Sequence, residues 1–178
     1  MNKFSRHRLY FWVFLALNLA FIAWSKNHLQ PLTSGDIVKF EVAKTAASAE
    51  QIKAEWVQNG KLEKAIDSIQ IDYLFIILYS ALLISGVLFL AKLSRHIILF
   101  RMGRFVSYLL PIAAVCDIIE NIAMTKSLTG TVTGLKAMLA YDMAVAKFSI
   151  IILALIFMFI CLLSWLGSKV TPRYHPTL

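Results

Sequence analysis

The chain has 178 residues, 59% hydrophobic and 16% charged, with a mean hydropathy of +0.70. A water-soluble domain of this length carries about a quarter charged residues and under half apolar ones, so a soluble single core and disorder are both excluded. The net charge of +8, from 18 Lys and Arg against 10 Asp and Glu, would suggest nucleic acid in a soluble protein, but basic flanks of membrane spans account for it first and no nucleic acid partner is expected.

Crossing about 30 Å of hydrocarbon takes about 20 apolar residues. Four runs qualify, near residues 9–25, 71–93, 105–124 and 143–166. The expected fold is all-α, an integral membrane four-helix bundle in a single domain over 1–178, with a helical extracytoplasmic hairpin between spans 1 and 2. The first run follows Lys3, Arg6 and Arg8. It resembles a secretory signal with a poor cleavage site at Ala23-Trp24-Ser25, and its length favours an uncleaved signal anchor.

The 26–70 loop is not a linker. Pro31 and Ser34-Gly35 read as a turn, and residues 37–43 suit either a strand or a short helix. Ser48-x-x-Gln51 reads as a capping box opening a helix whose Ile52, Trp56 and Val57 share a face. Asn59-Gly60 suits its end. Leu62, Ala65, Ile66 and Ile69 then repeat at helical spacing into span 2, so the second arm of the hairpin is continuous with that span.

The 94–104 connection carries Arg95, Arg101 and Arg104 with no acid, and the tail adds Lys169 and Arg173. By the positive-inside rule both termini and this connection are cytoplasmic, with 26–70 and 125–142 outside. Trp24, Trp165, Tyr10 and Tyr141 fall where interfacial aromatic belts belong.

Ionisable groups inside spans are costly and face a bundle interior or a wet cavity. Span 3 holds Asp117 and Glu120, span 4 holds Lys147, and Asp72 and Asp142 stand at the outer ends of spans 2 and 4. At 1.5 Å per residue Glu120 and Lys147 each lie about 6–7 Å below the outer ends, and Asp117 about 10 Å. The faces agree. Leu110, Ala113, Ala114, Asp117, Glu120, Asn121 and Met124 share the small and polar side of span 3, against Ile112, Val115, Ile119 and Ile122 on the other. Lys147 shares a stripe with Ala140, Met143, Ala144, Ile151 and Ala154, and Asp72 with Phe75, Ile76, Tyr79, Leu83 and Gly86. Asn18 offers a fourth contribution from span 1, and Pro111 a kink in span 3.

A lysine paired with Glu120 or Asp117 would fix helix register without chemistry. Four acids against one lysine leave a formal −3, so either a carboxyl keeps its proton or a cation is bound. The candidate ligand-binding set is Asp72, Tyr79, Asp117, Glu120, Asn121 and Lys147, with Trp56 from the outer loop as a cover. No cofactor is expected. Cys116 and Cys161 lie at different depths and read as free thiols, and all four histidines fall outside the spans, against a buried bis-His haem.

Trp56, Ile71-Asp72-Tyr73-Leu74-Phe75, Asp117-Ile-Ile-Glu120-Asn121 and Ala146-Lys147-Phe148 together resemble a group of uncharacterised bacterial four-pass inner-membrane proteins with an Asp-x-x-Glu-Asn motif in the third span. The resemblance covers roughly residues 34–150. It implies a bacterial inner-membrane location and points to the same polar residues, without an activity.

Three functions compete. The first is a binding or accessory protein with an outward-facing polar pocket for a small molecule, lipid headgroup or cation, acting alone, as a homo-oligomer or with a membrane partner. The second is an intramembrane enzyme using Asp117 and Glu120 as an acid/base pair. The third is a subunit of an oligomeric proton- or ion-coupled transporter. The nearly apolar inner halves of spans 2–4, where Ser85, Ser107 and Ser164 are the only serines, favour a pocket over a pore.

Overall fold

The computed structural model describes residues 3–170 and contains six helices: α1 (Lys3–His28), α2 (Ser34–Glu41), α3 (Ala46–Gln58), α4 (Leu62–Leu93), α5 (Ile97–Leu128) and α6 (Gly134–Val170). Among the described residues there is no strand. Arg173, His175 and both chain ends lie outside them. Four helices, α1, α4, α5 and α6, are long and apolar enough to cross a membrane, consistent with a membrane protein.

Cross-helix contacts give the order of packing. Phe11 meets Phe89 and Phe21 stacks on Phe75, with ring centroids 5.8 and 5.3 Å apart, so α1 runs antiparallel to α4. Asn18 is the clamp between them: its Nδ2 donates to the carbonyls of Phe14 at 2.7 Å and Leu78 at 2.9 Å. It therefore joins two helices rather than contributing to the polar set. Tyr79 bonds Asp117 and Asp72 bonds Asn121, which sets α5 antiparallel to α4, and Lys147 reaches Asp117 and Glu120 from an α6 antiparallel to α5.

The interior has two apolar clusters. One gathers Leu32, Phe40, Trp56, Ile69, Met124 and Leu128, joining α2 and α3 to one end of the bundle. The other gathers Ile76, Val87, Val106, Leu110, Phe157 and Cys161 further along the spans. Along α4, α5 and α6 the polar residues sit between the two. The expected faces hold: the small and polar side of α5 is buried, while Ile112, Val115, Ile119 and Ile122 are exposed. Cys116 and Cys161 are free thiols.

The helices outrun the apolar runs that locate them. A 32-residue helix such as α5 spans about 48 Å, against about 30 Å of hydrocarbon. Hydropathy marks what lipid covers, whereas helix ends answer to capping. Arg101 and Arg104 thus stand within α5, and only residues 129–133 separate α5 from α6. Upstream, Ser34-Gly35 is the first turn of α2, not a free turn. Thr33 caps it, accepting from the Asp36 amide at 3.2 Å while Asp36 Oδ2 accepts from the Thr33 amide at 3.0 Å. The stretch open between strand and helix is mostly this helix. Likewise α3 starts at Ala46 under a Thr45 cap, with Ser48 as the residue whose amide is capped at 3.2 Å. Thr45 offers the same oxygen three residues earlier, ahead of two strong helix formers, so Ser48 is inside the helix. Gly60 ends the turn after α3 at φ 65°.

Of the described glycines, Gly103 has the least room for a side chain. A Cβ there would lie 2.5 Å from the Ala91 Cβ, which moves only with its backbone; at Gly86 the nearest atom, 2.8 Å off, is the flexible end of Met158. Gly103→Ala is expected to lower stability by about 1–3 kcal/mol, and Gly86→Ala by less. Thermal unfolding of the two purified variants in the same detergent checks the order.

Candidate functional site

α5 and α6 bring the central charges together because Asp117, Glu120 and Lys147 lie on their facing stripes. The Lys147 Nζ is 2.7 Å from Asp117 Oδ1, 2.9 Å from Glu120 Oε2 and 3.8 Å from Glu41 Oε1. All four side chains are buried, Glu120 completely. Asp117 is doubly held, because its Oδ2 accepts from the Tyr79 hydroxyl at 2.8 Å. Asp72 is half-buried at the border of the set and accepts from Asn121 Nδ2 at 2.8 Å.

Two corrections follow. Asp142 is exposed and takes no place beside Lys147: one residue's rotation along α6 turns it off the inward stripe. Its place is taken by Glu41, which the sequence reading passed over. Glu41 ends α2, and the Phe40 beside it packs on Trp56 with ring centroids 5.3 Å apart. The overlooked signal was Thr33-x-x-Asp36, a capping box that announces α2 and brings its last turn to the bundle; Lys61 reinforces it with an ion pair to Asp36 at 3.3 Å. Trp56 is buried within the apolar cluster and docks α3 on the bundle. Lys53 helps from α3, donating to the carbonyls of Ser127 at 3.1 Å and Gly130 at 2.5 Å beyond the end of α5.

The set still holds four carboxyls against one ammonium. Glu120 Oε2 meets Lys147 by proximity without hydrogen-bond geometry, and Glu120 Oε1 and Glu41 Oε2 have no hydrogen-bond partner. Unpartnered buried acceptors cost roughly 1–3 kcal/mol each, so these are the atoms at which a donor would bind best. Among the described residues no group of three or more His, Cys, Asp or Glu is arranged to hold a metal ion. Two shallow hollows lie elsewhere, one of about 300 Å³ at the α4–α5 connection and one of about 500 Å³ between the start of α3 and the α5–α6 connection. The charge layer itself is buried, with Glu41 of α2 over Lys147.

Outside the spans, charge environments pull the two α2 acids in opposite directions. The Thr33 amide holds the Asp36 carboxyl below its ordinary value of 3.8. Burial pushes Glu41 above its ordinary 4.5, with the Lys147 ammonium opposing and the Asp117 and Asp72 charges adding to the rise.

An all-helical bundle with four candidate membrane-spanning helices and a buried carboxylate–lysine layer is the class that fold and site define. No family of known proteins, no curated protein and no solved structure matches the chain.

Lys147→Met leaves several buried carboxyls without their cation and is expected to cost about 3–5 kcal/mol, whereas Asp142→Asn stays within about 0.5 kcal/mol; denaturation in detergent compares them. The pH dependence has a definite sign. A folded-state value raised above the unfolded one means that Glu41 contributes stability fully below about 4.5, and loses it as pH rises through the folded value. Asp36 contributes above 3.8 and weakens only on further acidification, so it leaves that window clear. Melting temperatures across that range should fall with pH in the native chain and fall less steeply in Glu41→Gln.

Proposed function

We propose that this chain is a multi-pass membrane protein of binding or accessory role, whose polar layer takes a small cationic group: a protonated amine of a small molecule or of a lipid headgroup. One observation carries the reading. Glu120, fully buried, has an oxygen with no hydrogen-bond partner, beside a Glu41 in the same condition. An ammonium donates three hydrogen bonds and supplies the missing positive charge. Lys147 already engages three carboxylates, which disfavours an anionic headgroup as its partner. The acid/base alternative is weakened in the same way, because both oxygens of Asp117 are held by Lys147 and Tyr79.

In this reading α2 and α3 form the helical cover on the extracytoplasmic side, a hairpin between spans 1 and 2, and the ligand enters when α2 lifts Glu41 from Lys147. The termini and the α4–α5 connection face the cytoplasm by the positive-inside rule. A bacterial inner-membrane location belongs to this reading, on the resemblance to four-pass proteins with an Asp-x-x-Glu-Asn motif.

Glu120→Gln tests the proposal with the Lys147–Asp117 pair left intact. Native mass spectrometry of gently released protein is expected to retain an amine-bearing molecule on the native chain and lose it from the variant. A bare chain in both, with the variant less stable than the native protein, would reduce the layer to a structural ion cluster.

A further inference from the structure

The opposite end of the bundle has its own chemistry. Between Asp72 and Asp117 the sequence has no acid, while Lys92, Arg95, His96, Arg101 and Arg104 fall within thirteen positions. α4 and α5 are joined by only Ser94–His96. Into that turn opens a hollow of about 300 Å³, lined by Ala91, Lys92, Arg95, His96, Ile97 and Phe100. Three of these six residues are basic and three apolar; the floor of the shallow hollow is mainly apolar, with the basic groups at its edge. Arg95 and His96 are exposed, and so are Ile97 at 63% and Phe100 at 37%. At the rim α5 starts without a side-chain cap, which adds first-turn amides to the positive field. Arg6, Arg8 and Lys169 stand at the same end, since α1 runs antiparallel to α4 and α6 to α5.

We infer that this hollow seats the phosphate of an anionic membrane lipid between Arg95 and His96, with the acyl chains running past Ile97 and Phe100. Basic recesses beside membrane spans are suited to anionic headgroups, and the exposed apolar shoulder is what distinguishes a lipid from a free phosphate ion. The site is separate from the carboxylate layer and does not depend on the function proposed for it.

The test uses the full chain in neutral detergent, titrated with phosphatidylglycerol, phosphatidylcholine or inorganic phosphate and followed by its melting temperature. Arg95→Gly/His96→Ser removes the two basic residues of the proposed phosphate seat, leaving Lys92, yet keeps the turn, because glycine accepts the φ of 56° at Arg95 and serine caps α5. Arg101→Ala/Arg104→Ala removes charge outside the lining. Phosphatidylglycerol is expected to raise the melting temperature of the native chain and of the second variant. Half-saturation should need at least about ten-fold more lipid in the first. Ile97→Glu, which puts a carboxylate in the lining at an exposed first-turn position that favours acids, should abolish the response. An undiminished response in Arg95→Gly/His96→Ser or in Ile97→Glu would overturn the assignment. So would an equal loss in the Arg101/Arg104 variant, or equal stabilisation by inorganic phosphate.

Discussion

The bundle is organised around one buried ammonium. Helices packed in lipid gain little from the hydrophobic effect, since the solvent they leave is as apolar as their own side chains. What fixes one helix against another must then be close packing or polar contact. Lys147 supplies the polar contact for three elements at once, reaching Asp117 and Glu120 on α5 and Glu41 on α2. A shift of one turn along α6 would carry its Nζ about 5.4 Å away, leaving several carboxyls uncompensated. The register of α6 on α5 follows from where that charge sits; that of α4 on α5, and with it the fit of Gly103 against Ala91, follows from the Tyr79–Asp117 and Asn121–Asp72 bonds beside it.

Such a layer persists only if it is sealed. The apolar cluster around Val87 and Leu110 closes it along the spans, and the cluster around Trp56 and Met124 closes it at the α2–α3 end. The two seals differ in kind. The first is built from three long helices. The second relies on an eight-residue helix, too short to hold its shape alone, so it is maintained by its caps, by Phe40 on Trp56 and by Glu41 on Lys147. The same residue that covers the layer also completes it, which makes α2 the element whose docking answers to the charge state beneath it.

Legibility in the sequence followed the same division. The inward faces of α4, α5 and α6 could be read because lipid on one side and protein on the other impose a clear periodicity, and the shared depth of Glu120 and Lys147 followed from helical rise alone. Glu41 could not be read this way: an eight-residue helix offers too few turns for a pattern, and its distance to Lys147 is a product of folding over more than a hundred residues. Asp142 was misplaced because a span-end residue satisfies a depth argument whichever way it faces. Asn18 was visible as a polar residue in lipid, but only the partner carbonyl of Leu78 reveals a clamp. Helix ends escaped for another reason: Thr45 and Ser48 are equally good caps, and the choice between them lies in the Ala46-Ala47 turn.

Charge along the bundle is polarised beyond what folding requires. Lys92 and Lys169 in the last turns of α4 and α6 complement the partial negative charge of helix C-termini. Arg101 and Arg104 follow the first turn of α5, and Arg6 and Arg8 stand near the start of α1; neither helix has an acid in its first turn. Near a helix N-terminus these cations gain nothing from the dipole, and no acid in these segments pairs with them. They are free to answer to something outside the chain. The positive-inside rule offers one such partner in the orientation proposed above, and the proposed lipid phosphate at the α4–α5 hollow would answer to the same charge.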